Sequence, residues 1–393
     1  LVNCDKKHKT TFDVNLPKEY GLELTMDFLI FLLIVAILFI ICKVYNYVNP
    51  KEPNKDIHSI TFLGLLMRMI RKPEGSDKFY LRFKEYFERD GVVKLYFKGR
   101  WICMISDPEI AKDLCLRLGS VAERHFGVNV VHSNGDVWKR HRRVCNPAFK
   151  ALPVHLFVEK GLELMDILER VDNKPIEVKD FMQRLTLDVL GKVSFNFDFN
   201  DIIKEKRKSL AAGQSNGDLL ELMLKACEDP DNPTLSDIEL RHNLAIFMVA
   251  GHDTTANALS TLLYLLAVHK DVQKKAREEV LKILGDDLTP SAEHHASLKY
   301  LNMVIRENLR LYPPVPTLPL RVITEDLKYK NFLIPAGTLI GLFLYGIQHS
   351  SKLWENPEEF LPERFENEHE NYSWLAFGGG SRMFVLRNQF FSY

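Results

Sequence analysis

Hydrophobic and polar positions alternate with two periods along this chain, and one stretch shows no alternation at all. Phe28 to Cys42 is an unbroken apolar run without charge. With Val44, Tyr45, Tyr47 and Val48, and with Lys43 able to snorkel, it is long enough to cross a bilayer as one helix. Lys43, Lys51, Lys55, Arg68, Arg71 and Lys72 follow the run, whereas Glu19, Glu23 and Asp27 precede it with only Lys18. That asymmetry places the larger, C-terminal part in the cytosol. A signal-peptide core and a buried core helix are the rival readings. No small-x-small cleavage site follows, since Lys43, Val44 and Tyr45 come next. Met26 lies just before the run, so 26–48 reads as the anchor and 1–25 as an N-terminal extension of upstream sequence.

Beyond a polar hinge (Asn49 to Lys55) the period becomes helical. Helices are expected at about 154–171, 178–194, 236–269, 271–284 and 297–311. Pro313, Pro314 and Pro316 end the last of them. Val92 to Phe97, then Gly99, then Trp101 to Ile105 alternate as a β-hairpin. Asp107-Pro108 opens a helix to about Leu116. Short β-type runs fill 317–342, and Ser350 to Phe365 is loop-like. The pattern predicts a mainly α fold with a small β portion, as one large domain (49–393) behind a membrane helix.

Composition narrows the function. Apolar residues are 46% of 393, enough for a sizeable core. Lys plus Arg and Asp plus Glu are 52 each, so the net charge is zero. A general nucleic-acid binder is therefore not expected. Cys4, Cys42, Cys103, Cys115, Cys145 and Cys227 form no C-x-x-C, which argues against a structural zinc site or a disulfide scaffold.

Four segments carry candidate chemistry. Ala250-Gly251-His252-Asp253-Thr254-Thr255 interrupts an apolar helix, where a buried aspartate is costly. It reads either as a groove in which an acid–alcohol pair relays protons, or as a kink with solvated polar residues. Glu307 and Arg310 are i,i+3 on a helix, a spacing usually found in surface ion pairs. Trp138 and Arg142 are i,i+4 within the basic run WKRHRR, which by itself is a solvated helix face. Phe377-Gly378-Gly379-Gly380-Ser381-Arg382 allows close backbone approach to something flat or anionic. A nucleotide phosphate loop is a poor rival, because no Lys-Ser/Thr follows.

The order of these pieces is more specific than any one of them. W-x-x-x-R, A-G-x-D-T-T, E-x-x-R, P-E-R-F (362–365) and F-G-G-G-x-R follow one another. Together with SNGDVWKRHRRVCNPAF (133–149) and LRLYPPVP (309–316), this series resembles the cytochrome P450 family of haem-thiolate monooxygenases over about residues 50–383. The anchor makes it look like a eukaryotic microsomal member. The resemblance implies a P450-like fold and a haem cofactor, with electrons from NADPH through a membrane-bound reductase. It also implies oxidation of a small apolar substrate and a single-pass position in the endoplasmic reticulum membrane. Trp138, Arg142, Arg321 and Arg382 would hold haem propionates. Phe377, Gly378 and Gly380 would form the cofactor loop, and Ala250 and Gly251 would lie beside the oxygen site. Asp253 and Thr254 would deliver protons. Glu307, Arg310 and Arg364 would form a structural ion-pair triad. Lys139, Arg140 and Arg143 would face an acidic reductase surface or be ordinary solvated charge.

Two departures qualify this. The family loop continues to a cysteine and then a glycine, and here those positions are Phe384 and Leu386. The axial thiolate drives O–O cleavage, and a phenylalanine cannot ligate iron. The interval from Trp138 to Thr254 is also shorter than the family's, with the loss expected near 200, between Phe195–Phe199 and Lys204–Lys208. The expected fold is thus incomplete, lacking part of the pocket roof and the helix after the ligand loop. The alternative to an active monooxygenase is a catalytically dead, truncated paralogue or splice or gene-model fragment that at most binds a ligand or partner. A purely structural, membrane-tethered helical protein would leave the co-occurrence of these motifs unexplained.

Overall fold

The computed structural model describes residues 18–48, 56–61, 75–97, 100–116, 120–121, 127–149, 153–171, 174–192, 202–215, 217–229, 234–285, 289–330, 332–367, 369 and 372–383. In chain order the elements are α1 (Lys18–Val48), β1 (Ser59–Ile60), α2 (Ser76–Asp90), β2 (Val92–Phe97), β3 (Arg100–Ile105), α3 (Pro108–Leu116), β4 (Ser120–Val121), α4 (Gly135–Cys145), α5 (Val154–Arg170), α6 (Val178–Leu190), α7 (Ile202–Ala211), α8 (Leu219–Glu228), α9 (Asp237–Val268), α10 (Lys270–Leu284), α11 (Ala292–Ser297), α12 (Lys299–Leu311), β5 (Arg321–Val322), β6 (Leu327–Tyr329), β7 (Phe332–Ile334), β8 (Leu339–Leu342) and α13 (Leu344–Gln348). The fold is mainly α with a small β portion, as the hydrophobic period predicts.

Helix α1 contains Leu29–Asn46, a span of mean hydropathy 2.6 with none of its surface buried. It is the one helix among the described residues long and apolar enough to cross a membrane. It starts at Lys18 and passes through Met26 without a break.

Six strands form one mixed sheet in the order β1-β2-β3-β8-β5-β4. The predicted hairpin is present: β2 and β3 pair antiparallel, from Val92 opposite Ile105 to Phe97 opposite Arg100. Strand β3 then pairs parallel with β8, a crossover from the N-terminal third of the chain to the C-terminal third. Helix α2 covers one part of the sheet. Its Tyr80, Phe83 and Phe87 recur at helical spacing and pack with Val93, Ile102, Met104, Leu339 and Phe343. Gly91 ends α2 in the left-handed region (φ +71°), and its N–H donates to the Phe87 carbonyl at 2.9 Å.

The helical part is organised on α9. Ser236 and Glu239 close a capping box at its start: the Ser236 N–H donates to Glu239 Oε2 at 2.9 Å, and the Glu239 N–H donates to Ser236 Oγ at 3.3 Å. Its neighbours are α6, α8, α10 and α12. Five helices lie where the hydrophobic period gave no helix: α2, α7, α8, α11 and α13. Helix α7 holds the charged Lys204–Lys208 run. Its Lys206 is buried and paired at 2.5 Å with Asp218, which also caps α8. The stretch expected to mark the shortened interval, 193–201, lies outside the described residues.

Candidate functional site: a basic pocket around the glycine loop

Helix α4 begins at Asn134 and carries a strongly amphipathic face. Trp138, His141 and Cys145 point inward at i, i+3 and i+7. Arg142 lies beside that face, and its guanidinium Nη2 donates to the Met383 carbonyl at 2.7 Å. The glycine loop thereby meets α4 across a long separation in the chain. Arg382, at the end of that loop, stacks its guanidinium 4.8 Å from the Trp138 ring centre. Its Nη2 donates to the Ser133 carbonyl at 2.7 Å and to Asn134 Oδ1 at 3.2 Å. The basic run at α4 is therefore no uniform solvated face. Arg140 is likewise not a free surface charge: it binds Glu239 through both terminal nitrogens (2.5 and 3.1 Å) and so joins α4 to the cap of α9. Arg143 and Lys139 remain exposed.

The loop's glycines have different reasons. A Cβ on Gly380 (φ +67°) would lie 2.2 Å from the Cys115 carbonyl oxygen. On Gly379 it would lie 3.0 Å from the Cys115 sulfur. A Cβ on Gly378 (φ +75°) would meet Leu318 at an ordinary 3.7 Å, so this position needs glycine for its left-handed backbone alone. Phe377 packs toward Trp374 and the Leu309–Trp354–Phe365 cluster. Cys115, on α3, had no local signal in the sequence as a neighbour of this loop. Burial raises its thiol pKa, partly opposed by Arg321 and by the Gly379 N–H.

Arg321 enters from β5. Its Nη1 is buried without a hydrogen-bond partner, as is Arg382 Nε. Burial lowers the pKa of Arg321 and Arg142. For Arg382, burial and the nearby guanidiniums of Arg321 and Arg142 push it down to about 10. No carboxylate contributes to the electrostatics of any of the three among the described residues. Arg142, Arg321 and Arg382 thus form a cationic cluster in which Arg321 Nη1 and Arg382 Nε have no acceptor, and its charge suits an anion with carboxylate-like oxygens.

The turn beside this cluster is tied down by hydrogen bonds. Asn129 Oδ1 accepts from the Val131 and His132 N–H groups, both at 3.0 Å, and Asn243 Oδ1 accepts from the Val130 N–H at 2.9 Å. Both asparagines are fully buried, so the turn presenting Ser133 and Asn134 is tied to α9.

The α9 motif is placed otherwise than its sequence suggested. Asp253 is not buried: its side chain is 59% exposed, and Oδ1 accepts from Gln183 Nε2 of α6 at 3.3 Å. An apolar helix shows its polar residue to solvent here, so the expected cost of burying that charge does not arise. Thr254 Oγ1 donates to the Ala250 carbonyl at 2.5 Å, the back-bond expected of a mid-helix threonine. A Cβ on Gly251 would lie 3.1 Å from Leu190, so Gly251 is where α6 approaches α9 closely. The contacts of Gly251 and Asp253 thus run to α6. Trp138, Arg142, Arg321, Gly380 and Arg382 gather around Cys115 and the end of the glycine loop, whereas Gly378 lies beside Leu318 and Phe377 packs into the Leu309–Trp354–Phe365 cluster. Phe384 and Leu386 lie outside the described residues. Among the described residues no cluster of His, Cys, Asp or Glu is fit to hold a metal ion.

Glu307, Arg310 and Arg364 do form a triad. Arg310 binds both Glu307 oxygens (2.8 and 2.9 Å) and Arg364 Nε reaches Glu307 Oε1 at 3.0 Å. Arg310 also donates to the carbonyls of Gln348, Pro357 and Glu359.

Comparison with known proteins agrees with this order of motifs. The cytochrome P450 family model matches residues 57–201 and 199–383. The chain belongs to the cytochrome P450 family. It is 38% identical over 330 residues to cytochrome P450 4A10 of Mus musculus, covering 65% of each. It is 39% identical over 168 residues to cytochrome P450 4A24 of Sus scrofa, covering 42% of this chain and 33% of that protein. It is 26% identical over 392 residues to the protein LUTEIN DEFICIENT 5, chloroplastic, of Arabidopsis thaliana, covering 78% of this chain and 66% of that one. The chain spans less than two thirds of the length of these curated P450 relatives.

Proposed function

We propose that this P450 chain is a membrane-anchored receptor for the carboxylate edge of a haem and that, with Phe384 in place of the thiolate, it does not carry out the oxygenation of its lineage. The observation that carries the reading is the set of three guanidiniums without an acidic neighbour, Arg142, Arg321 and Arg382, of which Arg321 and Arg382 each keep a buried N–H without an acceptor. Propionates fit that set in charge and geometry, and bidentate Arg–carboxylate bonds are strong ones. Trp138 braces Arg382 from one side.

When bound with a thiolate ligand, haem supplies NADPH- and dioxygen-dependent oxidation of a small apolar substrate in this family. Phe384 has no donor atom, so the residues fit the anionic edge of the group and not its iron. No reaction step is therefore assigned to Asp253 or Thr254. Their part reduces to an exposed acid and a back-bonded hydroxyl next to each other on α9. The N-terminal helix and the basic residues after it favour a single-pass place in the endoplasmic reticulum membrane, with the large part cytosolic and near the membrane-bound reductase.

The test is a reduced carbon-monoxide difference spectrum on the chain expressed with haem supplied. A haem band of the histidine or weak-ligand type is expected. A thiolate-type red-shifted Soret band would restore the lineage activity and overturn the reading. Absence of any haem band would reduce the protein to an anion receptor of another kind.

A further inference from the structure

We infer that Asn134-Gly135 is a self-modifying site, at which Arg382 promotes conversion of the asparagine to aspartate or isoaspartate. The inference rests on five features of one spot. The pair is Asn-Gly, the sequence in which the backbone nitrogen is least shielded. Gly135 is exposed, and nothing lies within 4 Å of where its Cβ would be. Asn134 caps α4 with extended backbone, yet its side chain makes no capping bond to the helix. Gly135 stands in the first turn, where a backbone N–H has no intrahelical acceptor. Finally, Arg382 Nη2 donates to Asn134 Oδ1 at 3.2 Å.

The last feature supplies the chemistry. The Gly135 nitrogen attacks Cγ of Asn134, forming a new C–N bond and giving up its proton to solvent. Negative charge grows on Oδ1 as the carbonyl becomes tetrahedral. A guanidinium already aimed at that oxygen stabilises the charge as it forms. Nδ2 then takes a proton back from solvent, the carbonyl re-forms as the Cγ–Nδ2 bond breaks, and ammonia leaves, giving a cyclic imide. Water opens the ring at either carbonyl, leaving aspartate or isoaspartate at position 134. No oxidant or cofactor is consumed. The product is a carboxylate beside Arg382, in the pocket whose three guanidiniums have no acidic neighbour. The modification thus gives the site an anion of its own.

The chain contains its own reference. Ser215-Asn216-Gly217-Asp218 repeats the tetrapeptide Ser133-Asn134-Gly135-Asp136. The full chain in detergent would be held at mildly alkaline pH, folded and in urea, and peptides containing each asparagine followed by mass spectrometry. In urea the two sites should react alike. In the folded chain position 134 should react about tenfold faster than in urea, the worth of one charge-assisted hydrogen bond. Arg382→Gln should remove that acceleration and leave position 216 unaltered. If position 134 reacts no faster folded than unfolded, the inference is wrong, and this comparison needs no variant. An Arg382→Gln chain that keeps the acceleration overturns the role given to the guanidinium. Should that variant fail to fold, both sites take the urea rate and the wild-type ratio decides.

Discussion

Two regions of this molecule bury arginine, and they do so in opposite ways. In the triad, Arg310 and Glu307 have no exposed surface, and the Arg310 Nε and both terminal nitrogens donate to Glu307 or to the carbonyls of Gln348, Pro357 and Glu359. In the basic pocket, Arg142, Arg321 and Arg382 are partly buried near one another, and two of their N–H groups have no acceptor. A buried charge with a full set of partners is architecture. A buried charge with partners missing is strain that an incoming anion relieves. The same side chain therefore marks structure in one place and the proposed binding site in the other.

The largest test breaks the triad. Glu307→Gln leaves Arg310 buried with its counter-charge gone, and should cost about 3–5 kcal/mol in urea unfolding. Next is the joint between α4 and α9. Asn243→Ala removes the acceptor for the Val130 N–H and a partner of His141, at a cost of about 1–3 kcal/mol. The Glu239 carboxyl is held down to about 2 against burial by Arg140, the Ser236 backbone N–H and His141. Its folded value lies below its unfolded 4.5, so its stabilisation is full above 4.5 and is lost as pH falls toward 2. Thermal melts of Glu239→Gln against the parent should converge across that window.

The basic pocket should behave differently. Arg382→Met removes a cation repelled by two others, along with its bonds to Ser133 and Asn134, and should change stability by no more than about 1 kcal/mol while abolishing binding of carboxylate ligands. A cost like that of Glu307→Gln would erase the distinction drawn between the two regions. Lys139→Ala, at an exposed pair with Asp136, should stay within about 0.5 kcal/mol.

Much of the architecture was legible because local rules and tertiary packing agree. The alternation of Val92–Phe97 and Trp101–Ile105 around Gly99 gave the hairpin. The helical period from about 236 gave α9, and three prolines fixed the end of α12. Helix α2 was missed because its aromatic face is set among charges, and α7 because Lys204–Lys208 carries almost no apolar stripe. At the site, the glycine loop and the arginines were legible through the order of motifs. Their neighbours were not: Cys115, Ser133 and Asn134 meet the loop only after the chain has folded back from far along the sequence. Burial of Glu307 and Arg310 has the same origin, since i,i+3 spacing is identical on a wet and a dry helix face. Asp253 failed in the other direction, because an apolar helix gives no sign of which side another element covers.

Gly380 has a consequence for how this chain tolerates change. The place where its Cβ would stand faces a carbonyl of α3, so every missense codon at that position collides with backbone before any ligand is involved. A saturation library would lose this position even in a protein with no ligand and no activity. Intolerance at Gly380 therefore measures the spacing of two backbones, and the same screen reads ligand binding at Arg382, where the side chain can be shortened without a clash.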